Sequence, residues 1–183
     1  MLFRSDPRLE ADLTAALGDA KAFAARYRGQ LAALGGDELG AAVAAFERFE
    51  ERLGRIMSFA DLTFAGNQAD PEIAKFFQTI QERVNAISTE TLFFTLELNR
   101  IDDAAFAEKL KAPALARYAP WLRDLRIYRP HQLSDDLEKL LHEKHVAGRA
   151  AWTRLFDQTM ADLRFPLDGR ALTNAEAFHL LSD

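Results

Sequence analysis

Apolar residues recur along this chain at intervals of four and three, the period that gathers them on one side of a helix. The pattern is cleanest through Ile73, Phe77, Ile80, Val84, Ile87, Thr91, Phe94 and Leu98, where Thr91 is the only polar member. A second stripe passes through Leu39, Val43, Phe46, Leu53, Met57 and Phe64, with Glu50 interrupting it. Asp6-Pro7 and Asp70-Pro71 read as helix starts. Asp accepts the orphan amides of a first turn, and Pro is tolerated at the first helical position. Gly35-Gly36 and Gly66 read as stops, with Asp37 placed to cap the helix between them. The spacing thus predicts helices over about residues 7–34, 37–65 and 70–98. The last two should form an antiparallel hairpin about 40 Å long.

The middle of the chain is more broken. Asp102 can cap a short helix whose first turn is stapled by Ile101 and Phe106. Pro113, Pro120 and Pro130 then predict short, bent helices. Ser134 opens a further helix to about Asp162, with Asp135 and Asp136 suited to the helix dipole. That helix is expected to carry Leu137, Leu141, Trp152, Leu155 and Phe156 inward, and Gly148 lies on the same face. Alternating apolar positions around Asp168-Gly169 predict a β-hairpin over Leu163–Leu172, since Asp-Gly favours the primed turns. Thr173 and Glu176 make a capping-box pattern for a last helix. The expected division is a helical domain over 1–162, then a hairpin and the start of a helix over 163–183.

Composition strengthens the helical reading. Ala and Leu supply 32 and 26 residues, while Val and Ile together supply 9. Good helix formers thus far outnumber strand formers, and the expected fold is all-α with that single β-hairpin. A formal net charge of −5 argues against a general nucleic-acid binder, which needs surplus positive charge. Arg outnumbers Lys 17 to 6, but no basic block stands out. With no Cys, disulfides, thiolate nucleophiles and cysteine-held metals are excluded. No apolar run is long enough to cross a membrane. Met1 to Pro7 lacks the pattern of a signal peptide, so a cytoplasmic protein is expected.

Candidate chemistry is sparse. His142-Glu143-Lys144-His145 is one residue short of H-E-x-x-H, so its histidines sit at i and i+3, with no obvious third ligand. It reads as a decoy, with His145 near the apolar face and His142 towards its edge. Asp102-Asp103 and Asp135-Asp136 read as capping pairs. Glu47, Glu50 and Glu51 among Arg48, Arg52 and Arg55 read as a solvated face with ion pairs one turn apart. Ser58, Ser88 and Ser134 have no nucleophile-elbow context. No catalytic, cofactor-binding or metal residue is assigned.

Three stretches carry a family resemblance. They are Phe46-Glu47-Arg48 through Leu53-Gly54-Arg55-Ile56, then Phe93 through Asp103, then His142-Glu143-Lys144 with Gly148 through Asp157 and on to Phe165 and Asp168-Gly169. Their order and spacing resemble the amino-terminal part of oligoendopeptidase F, of the thimet-oligopeptidase-like zinc peptidases, from about Arg26 onward. The resemblance implies a non-catalytic helical part that packs against a downstream catalytic domain and shapes its substrate channel. That domain would hold zinc and hydrolyse short oligopeptides; the 183-residue chain should hold no cofactor and be inactive alone. The abrupt end at Asp183 is expected to mark the missing catalytic domain. The alternative is a self-standing helical interaction module, which a stop codon after Asp183 would favour over a downstream H-E-x-x-H. Because Phe76 and Phe93 flank one stripe and Phe49, Ile56 and Phe59 the other, leftover apolar helix surface is expected to pair two copies of the chain.

Overall fold

The computed structural model describes residues 6–181 and has the expected all-α architecture. The chain end at Asp183 and most of the Met1–Pro7 stretch lie outside the described residues. Helix α1 (Pro7–Tyr27) starts where Asp6 accepts the Arg8 amide at 2.9 Å. Helix α2 (Gly36–Gly66) starts at Gly35, whose amide donates to Glu38 Oε2 at 2.9 Å. Helix α3 (Pro71–Thr89) starts where Asp70 accepts from Glu72 and Ile73.

Helices α2 and α3 form the expected hairpin. Phe64 and Phe77 stack across it at 4.8 Å with rings nearly parallel. Leu53, Ile56 and Ala60 of α2 share a core with Ala74, Ile80 and Ile87 of α3, and α1 closes it with Leu13, Ala16 and Ala20. Small residues on α1 let its backbone come close. A second core at the other end joins Phe23 and Tyr27 of α1 and Leu39 and Val43 of α2 to Phe94, Leu98, Phe106, Leu115 and Leu122.

Two expected helix ends move. Helix α1 stops at Tyr27 instead of near Leu34, because Arg28 is extended and Gly29 has φ +76°, the left-handed region that favours glycine. The third helix is not continuous to Leu98. It breaks at Glu90–Leu92 before α4 (Phe93–Arg100). Ser88 and Thr89 hydroxyls donate to the Asn85 carbonyl, and Thr91 donates to the Ser88 carbonyl at 3.0 Å. Such bonds offer the last turn an alternative to the α-helical ladder.

Helix α5 (Asp103–Lys109) is capped by Asp102, with Ile101 and Phe106 both buried as the staple requires. A 3-10 turn (Pro113–Tyr118) then lies on the first turns of α2. A methyl group on Gly40 would stand 2.6 Å from Ala114 Cβ, so glycine permits this approach. Helix α6 (Ala119–Ile127) follows and is bound back by Arg126, which donates to the Leu98 and Ile101 carbonyls at 2.9 and 2.8 Å.

The helix expected over 134–162 is two helices, α7 (Asp135–Lys144) and α8 (Arg149–Asp162), divided at Gly148. Ser134 precedes α7 but makes no side-chain cap; Glu138 instead accepts the Leu133 amide at 2.8 Å. The hairpin pairs β1 (Phe165–Leu167) with β2 (Arg170–Leu172), Phe165 opposite Leu172. Asp168 and Gly169 have φ +48° and +77°, as a type I′ turn requires. These are the only strands among the described residues. Helix α9 (Asn174–His179) carries the capping box, with the Thr173 amide 2.7 Å from Glu176 Oε2.

Candidate functional site

The polar residues that interrupt the apolar stripes converge. Glu50 of α2, Thr91 at the α3–α4 junction and His142 of α7 line one cleft of about 350 Å³. Its apolar walls come from Phe46, Leu53 and Met57 of α2 with Val84 and Leu92 opposite.

His142 is half-buried and His145 exposed, the reverse of the expected order, because α7 meets α3 through the face that carries His142. His142 Nε2 lies 2.9 Å from Ser88 Oγ. Ser88 Oγ donates to the Asn85 carbonyl at 3.1 Å, which leaves its oxygen free to accept from a ring N–H. Burial pulls the His142 pKa below its ordinary value, against the Asn85 carbonyl, which favours the protonated ring. No carboxylate is hydrogen-bonded to this imidazole among the described residues, so the pair lacks the third group that orients a triad histidine.

Glu50 differs from the acids around it. Glu51 pairs with Arg55 one turn on, Arg52 reaches across to Asp19, and Glu47 accepts from Tyr118 Oη at 2.8 Å and from Arg117. Only part of the expected solvated face is therefore paired within α2. Water reaches Glu50, but the concave wall of the cleft surrounds it closely enough for desolvation to raise its carboxyl pKa. The other acidic pairs are structural. Asp102 caps α5, Asp103 holds Arg126 and Arg129, and Asp135 holds Arg100.

On the other side of the α3–α4 junction, a groove of about 670 Å³ runs against α7 over Leu92, Phe93, Leu96 and Val146. Its carboxylates are mostly engaged: Glu97 takes the Gly29 amide at 2.7 Å, and Glu90 lies 3.7 Å from Arg28.

The residues present do not fit a zinc ion. His142 is committed to Ser88, His145 is exposed just past the last turn of α7, and no third ligand joins them. Among the described residues, no three His, Asp or Glu side chains are grouped to hold a metal.

The largest departure from expectation is apolar. Leu137, Leu141, Trp152, Leu155 and Phe156 do not point inward; Trp152 is 72% exposed and Phe156 63%. The chain turns at Gly148, Arg154 ties α8 to Gln81 of α3, and Ala150 is the one buried residue of α8. Exposed Leu163, Phe165, Leu167 and Phe178 continue the apolar run through the hairpin into α9. Of the flanking residues on α2, α3 and α4, two are buried and three, Phe59, Phe76 and Phe93, are half-buried. Phe49 and Ile56 are buried, Phe59 meets Phe76 edge to face at 6.0 Å, and Phe93 packs on Phe23.

In the sequence Glu50 and Thr91 are only interruptions of apolar stripes and His142 is part of a decoy motif; nothing there brings them together or pairs Ser88 with His142. The only signal for Ser88 was its place one turn before Thr91, on the α3 face that α7 covers.

Residues 97–165 match the amino-terminal family model of the M3 peptidases, described as oligopeptidase F. The match covers less than half of the chain, from α4 to the first residue of β1. It takes in much of the second and third resembling stretches; Phe46–Ile56 lies outside it. Over these residues the chain is similar to the amino-terminal part of an oligopeptidase. No curated protein and no solved structure matches the chain.

Proposed function

We propose that this chain is the non-catalytic amino-terminal part of an oligoendopeptidase F-like zinc metalloendopeptidase, acting in the cytoplasm. It packs against a catalytic domain and walls the access of short peptides to it. The observation that carries this reading is the exposed apolar face of α8 and the hairpin, built by Trp152, Leu155, Phe156, Phe165 and Leu167. Exposed apolar surface of this kind marks an interaction site, and much of it falls within the residues that match the family. Zinc, held by the catalytic domain, would supply the activated water and polarise the scissile carbonyl. The residues of this chain bind and exclude: α1, α2 and α3 form a packed three-helix body, and α7, α8 and the hairpin present the docking face. The division near residue 163 is then where this part hands over to the catalytic one.

The second reading, a free-standing interaction module, draws on the same exposed face. The reading frame beyond Asp183 separates the two. A continuous polypeptide with H-E-x-x-H that cleaves an internally quenched short peptide, and loses that activity to a chelator, supports the peptidase part. A frame without that motif, or activity from the 183-residue chain alone, overturns it.

A further inference from the structure

We propose that the cleft between α2, the α3–α4 junction and α7 binds a primary ammonium carried on an apolar stem, with Glu50 as its counter-ion. Among the described residues no cation pairs with Glu50, although the neighbouring acids Glu47 and Glu51 each have one. The Glu50 carboxylate stands at the mouth of the cleft, open to water on one side and facing the apolar walls on the other, so a cation seated there meets an unneutralised anion. The cleft also offers hydroxyl oxygens suited to an ammonium. Thr91 and Thr95 spend their protons on the Ser88 and Leu92 carbonyls at 3.0 and 3.2 Å, so each oxygen keeps lone pairs for an incoming N–H. One helical turn beyond Glu50, Gly54 leaves the wall open: no heavy atom stands within 4 Å of where its side chain would begin. The apolar stem then lies along Phe46, Leu53 and Met57. A divalent metal is a poor occupant, because the only imidazole in the cleft is tied to Ser88. An anion would face Glu50. A volume of about 350 Å³ is near the small end for ligand sites and suits one or two amino-acid residues.

Two sources carry such a group: the amino terminus of a peptide that begins with an apolar residue, and a lysine side chain. The 183-residue chain would be titrated with leucyl-glycinamide, its N-acetyl derivative and Nα-acetyl-lysine amide, following the backbone amides of Thr91 and Thr95 by NMR. Saturable binding of at least one free amine is expected. Leucyl-glycinamide alone would assign the site to peptide amino termini, and the lysine derivative alone to side chains. Acetylating leucyl-glycinamide, or changing Glu50→Gln, should weaken binding by about tenfold or more. Equal binding of acetylated and free peptide would overturn the proposal, as would undiminished binding to a folded E50Q protein or no saturable shift with any amine. The acetylated arm uses the unaltered protein, so the outcome does not depend on the variant's folding. Ammonium binding here and peptide hydrolysis by a joined catalytic domain are separate readouts, and either can fail alone.

Discussion

Ser88 Oγ and His142 Nε2 stand 2.9 Å apart, a side-chain hydrogen bond that fastens α7 to the last turn of α3. Few other ties hold this part of the chain. Asp135 pairs with Arg100 at the start of α7, and Arg154 reaches Gln81 from α8. The body of α1–α3 is thus well buried, while α7 and α8 rest on a handful of polar contacts.

His142 should titrate below 6.5, because burial disfavours the charged ring. The unfolded chain then takes up this proton at higher pH than the folded one. The contribution of His142 to stability is therefore intact above about 6.5 and lost as pH falls from there through the lowered native value. Imidazole NMR shifts across that range test the direction. The stability difference between the wild type and His142→Gln should narrow on acidification.

Glu50 runs the other way. Its raised pKa means the folded state holds the proton more tightly, so the charged carboxylate costs stability at neutral pH and the cost fades as pH falls. Glu50→Gln should raise the melting temperature at pH 7 and lose that advantage towards pH 4.5, the ordinary value for this group. A variant less stable than the wild type at neutral pH would show that Glu50 has a stabilising partner.

Gly40→Ala should destabilise the chain by about 1–3 kcal/mol, the usual cost of forcing an extra carbon into a packed contact. The added methyl would meet Ala114 Cβ at 2.6 Å and must push the 3-10 turn off α2. Gly54→Ala, on the same helix with nothing near its side-chain direction, should be neutral or slightly stabilising. Urea denaturation of the two variants gives the comparison directly.

Arg126 binds two main-chain carbonyls and Asp103, and its guanidinium lies 4.3 Å from the centre of the Phe106 ring. Arg126→Ala leaves the Leu98 and Ile101 carbonyls without that donor. The expected loss is about 1.5–3 kcal/mol, read from thermal or chemical unfolding.

The sequence reading succeeded where short-range chemistry decides. Asp6, Asp70 and Asp102 cap as expected, Asp168-Gly169 turns the hairpin, and the stripes of α2 and α3 face each other. It failed where distant partners decide. The end of α1 is set with Glu97, which takes the Gly29 amide, and with Glu90, whose carbonyl takes Arg28. Nothing within α1 reports either. The break after Thr89 depends on hydroxyls that could equally have pointed outward from a continuous helix. The period through Leu137, Leu141, Trp152 and Phe156 has the form of a buried face, but no described element covers it. Periodicity reports that a face is apolar and not what lies against it. The cleft was half legible: Glu50 and Thr91 stood out as interruptions, but their convergence with His142 needs the tertiary fold.

In the proposed function the face carried by α8 and the hairpin docks against a catalytic domain. Hydroxyl-radical footprinting of Trp152 and Phe156, in the 183-residue chain and in the continuous polypeptide that extends it, tests this most directly. Both residues should be strongly modified in the chain alone, where they are 72% and 63% exposed, and markedly protected in the longer polypeptide. Equal modification of both residues in the two proteins would contradict it.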